Sequence, residues 1–366
     1  MPRKKKSLLT HKKVSKQKFT IGIPTDDDWK TMKDYGSFVV SDEEGNPHTF
    51  SLLELAFILP EGVLPDGIHH PTAYWIGRIK QIRARGEGNV FITQVWALVQ
   101  WYWSPQEVSS VIKSFDVSGC GQYEKIYSDY CDYVSSDSFC GKFPSLVLHY
   151  QFELCLDHAT VVRYNERDVD QKVFDSDEFY HRFDLEYRAR RITPNIMLSA
   201  CICGVSYNPD RDPVMHFCPR PSCRIAFHQE CLQRPTQRSN AAARARMFIE
   251  CWPDTDAKLV IEDLVDSRPC RKRRKGSKTS ISDVLEEFPV ELVKAAQQQI
   301  IKGVQAGGVV GNVKAVVAAR QLIYHTLLDG SDLPTDWEDK VDVEAAIPPK
   351  RKSCPVFLCP QCQSLI

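Results

Sequence analysis

Eight residues offer soft-metal chemistry at spacings that short loops can satisfy. Cys201, Cys203, Cys218, Cys223, His228 and Cys231 crowd into Ser199–Leu232, and Cys359 and Cys362 follow in a late Cys-x2-Cys. Closely spaced thiolate pairs suit a tetrahedral cation such as zinc, because each short loop delivers two ligands to one metal. Eight donors make two closed four-coordinate sites and leave no open position for catalysis. A long connection separates Cys231 from Cys359. Loop-closure entropy grows slowly with length, so an insertion there is physically tolerable. Cys251, Cys270 and Cys354 lie within that connection and stand as alternative donors.

Composition sets the frame for these residues. The chain has 366 residues, 43% hydrophobic and 26% charged, with a formal net charge of zero. That is the balance of an ordinary soluble protein of two domains or slightly more. No apolar run approaches the length of a membrane span. The opening MPRKKKSLLTHKKVSKQK lacks the apolar core of a secretory signal. Fourteen cysteines without such a signal imply a reducing compartment and metal binding rather than disulfides. Residues 3–18 are basic without an acid, and Arg271–Lys278 is a second basic cluster. Such clusters serve nuclear import or loose phosphate contacts.

Residues 1–28 read as a disordered basic tail. A folded, mainly β region follows over 29–193. Its expected strands are Thr49–Ile58, Tyr74–Ile82, Asn89–Trp103 and Ser145–Leu156, rich in β-branched and aromatic residues and bounded by turn formers. The connection over 233–353 has helical texture. Ala241–Ile249 can be helical, and apolar residues recur at helical spacing through Ser282–Val304, where Pro289 splits or starts a helix. Asn312–Leu328 is a second helix with Asn312 as N-cap and Gly330 as stop. Amphipathic faces of this kind usually pack on their own domain; a partner-binding hairpin is the other reading.

The ligand order, four cysteines, one histidine, three cysteines, resembles that of a PHD finger. Phe227, just before the histidine, and Phe357, two before Cys359, fit the family's aromatic positions. The resemblance implies a cross-brace. Cys201, Cys203, His228 and Cys231 would hold one structural zinc, and Cys218, Cys223, Cys359 and Cys362 the other. It also implies a small α+β finger over 194–366 carrying a long, partly helical insertion. In family members that read trimethylated lysine 4 of histone H3, a Tyr, a Met and a Trp form the cage. Here Tyr207 and Met215 hold the first two positions and Ala226 the third, so this finger is expected to be structural. A RING variant, with ubiquitin-ligase activity, is the competing reading of the same ligand order.

A second resemblance covers the β region. YWIGRI at Tyr74–Ile79, QWYWSPQEV at Gln100–Val108, and Ser128, Asp132, Gly141 and Lys142 are similar to successive landmarks of a BAH domain. FYHRFDLEYRARRITP at Phe179–Pro194, followed closely by Cys-x-Cys, resembles the seam of fungal and plant BAH–PHD proteins. In those proteins the two modules abut. The resemblance implies a distorted β-barrel packed on the finger.

The function implied is that of a nuclear histone-tail reader in chromatin repression, with no catalysis. Trp101 and Trp103 alternate along one strand and so share a face, and Trp75 lies on a neighbouring strand. Three rings around one point suit a methylated ammonium, drawn by the ring quadrupoles. The resemblance assigns this cage to a trimethylated lysine, in the fungal and plant BAH–PHD proteins lysine 27 of histone H3 and in other BAH domains methylated lysine 20 of histone H4, with Tyr130 and Asp132 lining the peptide groove. The other readings are a ligase and a non-reading scaffold. Nothing in the chain suggests an enzyme of another kind, since no phosphate loop, nucleophile elbow or His-Glu-x-x-His helix is present.

Overall fold

A computed structural model of the chain describes residues 8–10, 22–42, 45–60, 70–86, 93–139, 158–195, 200–232, 285–347 and 356–366. These form two compact units. One comprises Met1–Val117, Gln122–Arg163 and Glu178–Pro194; the other comprises Ser118–Gly121, Tyr164–Asp177 and Asn195–Ile366.

The first unit is β-rich. Strands β1 (Leu8–Thr10), β3 (Ser37–Ser41) and β4 (Pro47–Ser51) make a small sheet, with β1 parallel to β3. Leu8–Thr10 is a strand, and helix α1 (Asp26–Thr31) begins inside the expected tail. There Thr25 and Asp28 exchange hydrogen bonds in a capping box.

The larger sheet runs β11 (Arg191–Thr193), β10 (Tyr180–Glu186), β8 (Glu124–Ser135), β7 (Thr93–Trp103), β6 (Trp75–Gly86), β2 (Lys33–Tyr35). β5 (Leu55–Ile58) also pairs with β6, and β9 (Val162–Arg163) with β10. Among the described residues this ladder is open, with β2 and β11 at its ends, a half-barrel consistent with the distorted β-barrel expected. Alternation on β6 and β7 sends Ile79 and Val99 to one core with Phe38, Phe50 and Phe139. It sends Ile76 and Tyr102 to another with Phe57 and Phe179.

Three local devices shape this sheet. The stretch Thr49–Ile58 is two strands rather than one. Leu53 adopts φ 73 and donates its N–H to Ile79 O at 2.7 Å, and Glu54 accepts from Ser51 N at 2.6 Å. β7 stops at Ser104, whose side chain and Glu107 form a capping box around Pro105 and start helix α2 (Pro105–Val111). β8 and β10, which run parallel, are clamped by Arg182, whose Nε and Nη2 lie 2.8 and 2.6 Å from the two oxygens of the buried Glu124 carboxylate. The expected strand Ser145–Leu156, together with Gly141 and Lys142, lies outside the described residues.

The second unit is built on a three-stranded sheet, β13 (Ala226–His228), β12 (Met215–Phe217), β14 (Ile301–Lys302). The stretch between Cys231 and Cys359 therefore contributes a strand to the second unit's own sheet. β14 pairs antiparallel to β12, Met215 opposite Lys302, and Phe217 N donates to Ile300 O at 2.8 Å. Pro289 starts helix α3 (Val290–Ala296), which ends well before Val304. Helix α4 (Val313–Asp329) stops at Gly330 in the left-handed region, as its sequence suggests. Asn312 is the N-cap of α4, its carbonyl accepting from Val316 N at 3.1 Å, but its side chain makes no capping hydrogen bond. Its side chain accepts from Ile301 N at 2.8 Å and donates to Gln299 O and Ala346 O, both at 3.0 Å, tying strand to helices. Arg320 closes the end of α3 by donating to Ala296 O and Gln298 O. The apolar faces of α3 and α4 are buried within the unit, Leu292, Ala296, Val316 and Ile323 among them. Short helices α5 (Trp337–Lys340) and α6 (Val343–Ala346) follow. The helical reading of Ala241–Ile249 and the basic cluster at 271–278 fall outside the described residues.

Candidate metal centres and aromatic site

Tight turns prepare each ligand pair. In Cys201-Ile-Cys203-Gly204, Gly204 takes φ +79 and donates its N–H to Cys201 O at 2.8 Å. Cys218 N donates to Ile225 O at 3.0 Å and Cys223 N to Arg220 O at 2.8 Å, so that loop folds both thiols inward. The last pair sits on a hairpin, where Phe357 and Ile366 exchange backbone hydrogen bonds at 2.9 Å and Cys359 N donates to Ser364 O at 2.8 Å.

The structure gathers the eight donors into two tetrads, Cys201, Cys203, His228, Cys231 and Cys218, Cys223, Cys359, Cys362, with the ligand atoms of each within 4.8 Å of one another. Sulfur separations are 3.5 Å for Cys218–Cys362 and 3.6 Å for Cys223–Cys359. These are too long for disulfides and close to the edge of about 3.8 Å that a tetrahedral cation with metal–sulfur bonds of about 2.3 Å requires. The donors can therefore hold a metal ion at each centre. Cys251, Cys270 and Cys354 lie outside the described residues.

His228 presents Nδ1 to the thiols, 3.4 Å from Cys203 Sγ, while its Nε2 faces Asp212 Oδ2 at 3.5 Å. A carboxylate behind a ligating imidazole fixes its tautomer and raises its basicity. Hydrogen bonds to Asp212 and Cys201 push His228 up to about 10. Burial alone raises the Cys201 thiol, but hydrogen bonds from His228, the backbone and Cys231 outweigh it and bring it down to about 6. In the second centre, hydrogen bonds from Cys218, Cys223 and Cys359 hold Cys362 far below the usual thiol range. Asp212 was not legible in the sequence, since nothing in its spacing marks it.

The aromatic residues fall into two neighbouring sets on the first unit. Gly77 stands opposite Trp101 in the β6–β7 ladder, and Ile76 opposite Tyr102. Trp75 and Trp101 are thus diagonal neighbours, and their rings meet edge to face with centroids 5.5 Å apart. Gly77 makes the room: a Cβ there would lie 2.1 Å from Val99 Cγ1 and 3.4 Å from the Trp101 ring. Trp103 packs elsewhere, against Tyr130 at 6.0 Å and Tyr187 at 5.4 Å, with Tyr130 and Tyr187 4.5 Å apart. All five rings are half-buried.

A bulge in β8 builds the second set. Gln100 pairs with Cys131 and Tyr102 with Tyr127, so Ser128, Asp129 and Tyr130 together face Trp101. Ser128 Oγ accepts from Tyr130 N at 3.1 Å, and Asp129 Oδ1 accepts from Tyr187 N at 2.7 Å, which draws Tyr187 in. Asp132 is exposed and accepts from Tyr133 N at 2.8 Å. Burial, then the neighbouring Asp132 carboxylate, raises the Tyr130 hydroxyl. Tyr187 was missed from sequence; it lies just past the end of β10, where alternation gives no signal. In the second unit Tyr207, Met215 and Ala226 are all buried.

Comparison with known proteins adds little. No family model matches the chain. No curated protein matches it. Among solved structures, the yeast Rsc2 BAH domain aligns with 46% of this chain and 56% of its own length, at 8% identity and a TM-score of 0.26. A score of this size records a likeness without fixing the fold.

Proposed function

We propose that the chain is a nuclear chromatin reader. The first unit, read as a BAH-type module, grips a trimethylated lysine of a histone tail, lysine 27 of histone H3, through Trp75, Trp101 and Trp103. Tyr130 and Asp132 line the peptide groove. The second unit, read as a PHD-type finger, holds two structural zinc ions and carries no chemistry of its own. The basic clusters add non-specific contact with nucleosomal DNA, and repression follows from recruited co-repressor proteins.

The observation that carries this reading is the array of half-buried rings where β6 begins and β7 ends. Aromatic side chains on a strand usually vanish into the core. Here five remain partly open together, beside the exposed carboxylate of Asp132. Quadrupoles of indole and phenol rings attract a methylated ammonium, with about 2 kcal/mol or more for a desolvated contact. Soft thiolates with one imidazole, at tetrahedral spacing, favour zinc in the second unit.

The test is calorimetric titration of the zinc-loaded chain with histone H3 peptides trimethylated at lysine 27, trimethylated at lysine 4, or unmodified. Selective binding of the first is expected, weakened about tenfold or more in Trp103→Ala with the fold intact. Equal affinity for the unmodified peptide would sink the reading; full binding by Trp103→Ala would take that ring out of the cage.

A further inference from the structure

Lys302 is almost wholly buried, 2% exposed, in a unit whose other large buried side chains are mostly apolar. It arrives on β14, the strand that the insertion lays along β12. Its Nζ lies 4.7 Å from the centre of the Phe217 ring, 5.5 Å from Tyr207 and 5.7 Å from Tyr164. It also donates to Tyr164 Oη and to Glu166 O, both at 3.1 Å. Two of the three rings are fixed from behind, since the hydroxyls of Tyr164 and Tyr207 both donate to Val309 O, at 3.2 and 3.0 Å.

Glycine lets the chain deliver this side chain. Gly303, at φ +123, would place a Cβ 2.5 Å from Asp212 O. Gly311, at φ +66, would place one 2.0 Å from Ile301 O. Neither position admits another residue without moving backbone, so the approach of the lysine-bearing strand is built into the chain.

Rings at this distance around an ammonium select a cation over an apolar group. A strand added to a sheet edge, with one side chain sunk in a pocket, is how sheets bind extended peptides: backbone hydrogen bonds give affinity and the pocket gives specificity. The geometry points to a lysine-peptide site that the chain fills from within. Ile300–Lys302 is a built-in ligand, strand and ammonium together, seated on β12 and in the Tyr164–Tyr207–Phe217 box. While it is seated, the second unit takes no lysine peptide from outside at this edge. The inference is independent of the reader function proposed for the first unit.

Two variants of the full-length, zinc-loaded chain test it through stability alone. Lys302→Met keeps length and apolar stem but removes the charge; it is expected to lower the Tm by about 5 °C or more. Lys302→Ala opens a space the shape of n-propylammonium. That cation is expected to restore part of the lost Tm in a saturable way, beyond sodium chloride at equal ionic strength, while 1-propanol does not. Should Lys302→Ala be unfolded at rest, the same comparison is read as the fold recovered on refolding in each solute. A Lys302→Met chain as stable as the parent, or equal rescue by 1-propanol, would show an apolar pocket and overturn the inference.

Discussion

Two groups of aromatic rings in this chain use the same chemistry to opposite ends. Trp75 and Trp101, with Trp103, Tyr130 and Tyr187 beside them, are half-buried on the first unit. Tyr164, Tyr207 and Phe217 on the second are 1–2% exposed and already surround the ammonium of Lys302. Ring count and ring type do not separate a reading surface from an internal fastening. Access does, and access depends on which strand lies alongside. β6 begins and β7 ends with tryptophans that stay half-buried, whereas β12 receives β14 from the chain itself.

The most forceful way to break the comparison is to deny the second unit the zinc proposed for its two tetrads. One core cluster of the second unit is built around the candidate ligands: Cys201, Cys218, Cys223 and Cys359 are buried with Phe227, Leu232, Phe357 and Ile366. Structural zinc contributes about 10–16 kcal/mol at neutral pH in small zinc modules, comparable to or larger than the net stability of most domains. A strong chelator should therefore unfold the second unit, and Cys359→Ser should do much the same from one centre. Alkylation of Cys218 and Cys223, buried before treatment, reports the change, and peptide titration asks whether the first unit still binds. Thiols that stay protected after chelation would show that the unit folds without the metal.

A smaller effect separates the units by pH. Burial holds His181, between Tyr102 and Tyr127 on the first unit, down at about 4; Asp184 opposes the shift in part, and Arg163 and Arg78 add to it. The folded pKa lies below the ordinary value of 6.5, so the unfolded chain takes up a proton that the folded chain refuses. The contribution is complete above about pH 6.5 and is lost as pH falls toward 4, with about 2 kcal/mol gone by pH 5. His181→Gln should remove that part of the slope. Urea midpoints of parent and variant at pH 7 and pH 5 measure it, and parallel slopes in the two chains would rule it out.

What could be read from the sequence follows from range. The eight ligands were legible because Cys-x-Cys and Cys-x2-Cys are local constraints, and their pairing into tetrads matches the cross-brace that the PHD resemblance implies. β6 and β7 were legible from their runs of β-branched and aromatic residues, and the end of α4 from Gly330. The start of α2 is written locally in Ser104-x-x-Glu107, the spacing of a capping box. Other features had no local signature. Ile301–Lys302 is too short to show a period, and its box draws on residues 164, 207 and 217. The β8 bulge contains no glycine to announce it, and Asp129 fixes Tyr187 across a long stretch of chain.

That last contact gives the finest test of where the open set of rings does its work. If the bulge belongs to the reading surface, Tyr187 is a wall of the site through Trp103 and Tyr130, although sequence alternation assigns it no role. A half-exposed phenol facing a cation contributes about 0.5–1 kcal/mol, so Tyr187→Ala should weaken methyl-lysine peptide binding about two- to fivefold. Tyr187→Phe should bind like the parent, because the ring face and not the hydroxyl meets the cation. Trp101→Ala, which removes half of the other pair, should cost more than either. Calorimetry on the three variants ranks them. Unchanged binding in Tyr187→Ala beside a large loss in Trp101→Ala would confine the site to Trp75 and Trp101. The trio on the bulge would then be packing, a second internal fastening much like the box around Lys302.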